Sequence, residues 1–196
     1  MAHQQASPKS DARTDERRLL EARDLALGGL FGAAGIAVPM LFHALGPGLG
    51  PIFLPMYLPI LALGLLAGPA VSVPVGFVTP LLSGVLTGMP PLAPPVALLM
   101  AFELAALAGV AGAARAARLP LLVACIAGIA GSRVAGTLAL ATAGHALGLH
   151  RPLADYALLS LAMAWPGLLL QLTLVPGAVA LIERTSVLGP RWRRSQ

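Results

Sequence analysis

Charge is what this sequence has least of. Only 11% of its 196 residues are charged. The 158 residues from Leu25 to Ile182 carry six charges: Glu103, Arg115, Arg118, Arg133, Arg151 and Asp155. A soluble domain of this size must cover most of its surface with polar side chains. A soluble enzyme, a nucleic-acid binder and a disordered chain are therefore excluded. Cysteine is nearly absent too: Cys125 stands alone in an apolar run, so no intramolecular disulfide and no cysteine metal cluster can form. Aromatic residues amount to 5%, which leaves little for ring stacking. No HExxH and no Walker A sequence occurs, which removes a zincin-type metalloprotease and ATP hydrolysis by that route. Carboxylates of the kind that hold Mg²⁺ on a lipid phosphate are missing as well, and neither Ser132 nor Ser160 sits in a nucleophile loop. The expectation is a protein that is not an enzyme and needs no metal or cofactor.

What is present is apolar. Hydrophobic residues make up 57% of the chain, in runs broken by Pro and Gly clusters. At ~20 residues per membrane span, the runs predict six helices: Leu25–Leu45, Leu54–Ala67, Ala70–Leu86, Val96–Ala114, Pro120–Leu147 and Tyr156–Ile182. Residues 1–24 read as a polar tail, helical near its end, and 183–196 as a basic tail. The fold class expected is all-α, an integral membrane bundle of six transmembrane helices. The second and third segments are short and carry Pro55, Pro59, Pro74 and Pro80. Broken helices at membrane depth persist only where protein or a cavity satisfies the freed carbonyls. The proline-rich loop Thr87–Pro95 is too stiff to be helical.

Lysine and arginine set the orientation. With both termini inside, the tail contributes five basic residues, Arg115 and Arg118 two, and Arg184, Arg191, Arg193 and Arg194 four. Outside there is Arg151 alone. That asymmetry predicts cytoplasmic N- and C-termini in a cell (inner) membrane, and it accounts for the pI of about 10.7 without nucleic acid.

Two charges fall within spans, Glu103 and Arg133, each at a cost of ~2.5–3.5 kcal/mol or more. At a rise of about 1.5 Å per residue, Glu103 lies ~12 Å below Pro95, Arg133 ~21 Å below Leu147 and Trp165 ~14 Å below Tyr156. All three are expected to converge in the outer half or middle of the bundle. Two roles stay open: an ion pair tying two helices together, or the anchors of a polar pocket for a small ligand. Gly128, Gly131, Ser132 and Gly136 surround Arg133 with small side chains that allow close helix approach. Gln171, Thr173, Thr137 and Thr142 offer hydrogen bonds, expected between helices. His43 and His145 border the pocket mouth. In the first span Gly28, Gly29, Gly32, Ala33 and Ala37 recur at four-residue spacing, a ridge for packing against another helix inside or outside this bundle.

The segment Pro55–Ala113 resembles the substrate-binding S components of energy-coupling factor (ECF) vitamin transporters. The resemblance rests on LALGLLAGP between spans two and three, VGFVTPLLSGVLTGMPPL leading into the third loop, and AFELAALAGVAGA in span four. Later, AGSRVAG stands where such proteins often carry a Gly-Arg pair, here with Ser132 between Gly131 and Arg133. The subgroup it is most similar to is the pantothenate-type one. The resemblance implies a six-helix bundle that takes a vitamin or related micronutrient at its extracellular face. Its partners would be a transmembrane T subunit and two cytosolic ATPases. On that view the substrate is held by Glu103, Arg133, Trp165, Met89, His43, His145 and Gln171. The T subunit would dock on Gly28, Gly29, Gly32, Ala33 and Ala37. Two other classes remain: an accessory or scaffold membrane protein without a ligand, and a self-sufficient secondary transporter.

Overall fold

The computed structural model describes residues 8–46, 53–92, 96–143 and 153–185. All secondary structure among them is helical. The described residues form six helices: α1 (Pro8–Leu45), α2 (Tyr57–Ala67), α3 (Pro69–Thr87), α4 (Val96–Ala116), α5 (Leu121–Ala143) and α6 (Leu153–Arg184). Five contain stretches long and apolar enough to cross a membrane, and α2 is apolar but shorter. Large apolar side chains such as Leu30, Leu41, Val85, Ile126, Val134 and Leu174 lie on the outside, where a soluble protein would place polar ones. The chain is a multi-pass membrane protein.

Three boundaries differ from expectation by three residues or more, the starts of α1, α2 and α6. The first helix begins at Pro8 and takes in most of the polar tail, so α1 is 38 residues long. The second starts at Tyr57 instead of Leu54, because Leu54 adopts a positive φ of 48°. The fifth is helical through Ala143, with 144–150 outside the described residues. The sixth starts at Leu153, three residues early.

α2 occupies the centre. Its sequence YLPILALGLLA has no polar face, and a helix that is apolar all round is a buried one. Every residue from Pro59 to Ala67 is buried, and α2 touches all five other helices. Eleven residues rise only about 16 Å, roughly half of a ~30 Å hydrocarbon core. The chain then reverses at Gly68, whose φ of 79° and ψ of 177° suit glycine alone. Pro69 follows at the first position of α3, where its missing N–H costs nothing.

Small residues set the spacing between helices. A Cβ on Gly76 of α3 would come within 2.8 Å of the Leu104 carbonyl oxygen in α4, and one on Gly128 of α5 within 2.7 Å of the Leu107 oxygen. Ala124, Gly128, Ser132 and Gly136 recur every four residues and are all buried, which makes them the α5 side of a seam with α4. The resulting core joins Met56, Ile60 and Leu61 to Leu104, Leu107, Cys125 and Val175.

The ends of the bundle differ in character. At one end Arg115 of α4 meets Glu183 of α6 at 2.7 Å and also donates to the Leu119 carbonyl at 3.2 Å. At the other end the α3–α4 connection is tied down by α3 itself. Ser83 Oγ donates to the Met89 carbonyl at 2.7 Å, and the Met89 N–H donates to Thr87 Oγ1 at 3.2 Å. Gly88 caps α3 in the left-handed region at φ 75°.

Candidate functional site

The polar centre of the bundle is built by three helices. Glu103 sits on the inward face of α4 and is 2% exposed. Its Oε2 accepts a hydrogen bond from the hydroxyl of Tyr57, the first residue of α2. On its other side the carboxyl lies against the backbone of α5 at Gly136. A Cβ there would fall 2.8 Å from both Cγ and Cδ of Glu103. Glycine at 136 is thus the notch that admits the acid.

Arg133 stands one helical turn before Gly136, on the same side of α5. It is partly exposed, and its guanidinium carbon lies over the Tyr57 ring, 5.8 Å from the centroid, within cation–π range. Its Nε is buried with no hydrogen-bond partner. Among the side chains described, no carboxylate lies within 4 Å of this guanidinium. Glu103 and Arg133 therefore converge as expected but do not form a direct ion pair. Tyr57 stands between them, its hydroxyl on the acid and its ring under the base.

Gln171 of α6 is 1% exposed, and its Nε2 has no hydrogen-bond partner among the described residues. It shares the inward face of α6 with Val175 and Val179, four and eight residues on. Thr137, Thr142 and Thr173 were expected to bond between helices. Each instead donates to the carbonyl four residues earlier in its own helix, at 2.7–2.8 Å. That local bond satisfies a threonine hydroxyl at no entropic expense to a neighbour.

The remaining candidates are dispersed. Trp165 is 60% exposed, on the outer side of α6 and apart from the buried cluster. Met89, 49% exposed, rides on the tied-down α3–α4 connection. His43 lies in the last turn of α1 and is partly exposed. His145 lies outside the described residues, as does most of the expected outer loop Gly46–Phe53.

The small-residue ridge of α1 divides into two. Gly28 and Gly32 turn inward, where added Cβ atoms would meet Val75 of α3 at 3.3 Å. Gly29, Ala33 and Ala37 are exposed, and nothing lies within 4 Å of a Cβ placed on Gly29. A groove of about 500 Å³ runs beside them between α1 and α3, lined by Asp24, Gly28, Gly29, Val71 and Pro74 among others.

Sequence reasoning missed Tyr57. The signal was available: a hydroxyl inside the apolar run PMYLPIL needs a partner when buried, and Glu103 is the acceptor it finds. Comparison of the chain with family models, curated proteins and solved structures gave no match.

Proposed function

We propose that this chain is the substrate-binding S component of an ECF-type importer. It captures a vitamin or related micronutrient, pantothenate-like in size and polarity, at the extracellular face of the cell membrane. Delivery inward requires a transmembrane T subunit and two cytosolic ATPases, with both termini of this chain cytoplasmic. One observation carries the reading: an acid and a base are kept at the centre of an apolar six-helix bundle, joined through Tyr57 and not to each other. A pair retained for packing alone would close directly, because mutual contact offsets part of the cost of desolvating both charges. The motif resemblance across Pro55–Gly136 agrees with this.

Capture then works as follows. The ligand enters on the side of the α3–α4 connection, which Ser83 and Thr87 hold in place, so little ordering entropy is lost there on binding. Its polar end reaches the Glu103–Tyr57–Arg133 cluster, and its apolar part rests on the surrounding Ala, Leu and Gly side chains. The outward half of the α1 ridge, Gly29, Ala33 and Ala37, forms the close-approach surface for the T subunit.

The test is uptake by cells that express this chain with or without a T subunit and the two ATPases. Accumulation of a vitamin only with the full set is the expected result. Uptake by this chain alone, or unchanged uptake with ATPases that cannot hydrolyse ATP, overturns the proposal. Ala33→Leu should weaken co-purification of the T subunit while leaving ligand retention by the isolated chain intact.

A further inference from the structure

We infer that the ligand is an organic monoanion whose carboxylate is clamped by Arg133, with Glu103 acting as a positioning residue that the ligand does not touch. This rests on the capture reading above and narrows its substrate class.

Of the two charges in the cluster, one is committed and one is not. Glu103 is buried, accepts from Tyr57 and is wedged in the notch at Gly136. Arg133 is partly exposed, and its guanidinium has no carboxylate within 4 Å among the described side chains. The guanidinium carbon lies over the Tyr57 ring, and the Arg133 Nε donor is buried without a hydrogen-bond partner among the described residues. A guanidinium carries five N–H donors in a fork that matches the two oxygens of a carboxylate.

The unmet hydrogen-bonding capacity points the same way. Away from the Arg115–Glu183 end, the buried polar atoms without partners among the described residues are Arg133 Nε and Gln171 Nε2. Both are donors. A carboxylate is an acceptor at both oxygens, whereas an ammonium brings only further donors to atoms that already lack acceptors. The Glu103 carboxyl behind Tyr57 also sets the charge: one arginine facing one nearby acid favours a single negative charge on the ligand over two.

The experiment uses the full chain, purified in detergent. It is incubated with matched acid and neutral pairs: pantothenate with pantothenol, nicotinate with nicotinamide, and biotin with its amide. A parallel sample receives yeast extract. After desalting, retained molecules are released and weighed by mass spectrometry in both ion modes. The expected result is retention of an acid, with its neutral twin held at least tenfold less. Arg133→Gln should lose the acid by about 100-fold, Arg133→Lys by less, and Glu103→Gln should weaken retention without removing the preference for the acid. A retained ligand that is neutral or cationic, or equal retention of acid by Arg133→Gln, overturns this inference and leaves the capture reading standing. Retention of nothing from either sample overturns both. The acid–neutral comparison is made on the unaltered protein, so it does not depend on the variants folding.

Discussion

Among the described residues there are two places where arginine and glutamate from different helices come together, and they are built differently. At the α4–α6 end, Arg115 and Glu183 touch directly at 2.7 Å, and Arg115 adds a bond to the Leu119 carbonyl. In the middle, Glu103 and Arg133 are parted by Tyr57. The first arrangement uses its charges on each other and joins two helix ends. The second leaves Arg133 Nε without a partner among the described residues, at a depth where an unmet polar group is costly.

The difference can be broken most forcefully at the closed pair. Arg115→Ala should cost about 3–5 kcal/mol, because it strands a mostly buried Glu183. Thermal unfolding in detergent would show this, with retention of any ligand unchanged at temperatures where the variant stays folded. Replacing both partners at once, Arg115→Met with Glu183→Leu, should recover most of the loss. Failure to recover would mean that the pair does more than join α4 to α6.

Smaller effects are expected at the open site. Gly136→Ala drives a methyl group into the Glu103 carboxyl and should destabilise by about 1–3 kcal/mol. In a Glu103→Ala background the same change should be neutral or slightly stabilising, since alanine is the better helix former. A double-mutant cycle without coupling would remove the notch from this account. Tyr57→Phe keeps the ring under Arg133 and deletes only the donor to Glu103. It should cost about 1 kcal/mol, the usual scale of a hydrogen bond within a bilayer, and lower ligand retention by releasing the acid. The smallest effect belongs to Trp165→Ala, within about 0.5 kcal/mol, as befits a residue on the outer surface. A large loss of binding in that variant would return Trp165 to the site.

Much of the bundle was legible in the sequence because Gly and Pro punctuate its apolar runs: GPA at Gly68–Ala70 is the reversal between α2 and α3, as its composition suggests. The extent of α1 was not legible, since the break in hydropathy at Leu25 marks where the helix turns apolar and not where it begins. Glu103 and Arg133 stood out by the cost of charge in a membrane. Their relation did not, because it runs through Tyr57, which a hydropathy reading counts as one more apolar residue. The α1 ridge shows a further limit. Four-residue spacing puts small residues on helix faces, yet Gly28 and Gly29 are neighbours in sequence and point to opposite surroundings.

The glycine contacts around α4 have a consequence for how the protein tolerates change. Gly76 and Gly128 bring backbone against backbone from two sides of that helix, whereas large side chains such as Leu30 of α1, Val134 of α5 and Leu174 of α6 lie exposed on the outside. Tolerance to bulk should therefore fall off from the exposed rim toward the two seams that α4 shares with α3 and α5. A saturation scan displayed on the bundle would show a permissive rim around two lines of contact where no added side chain is accepted.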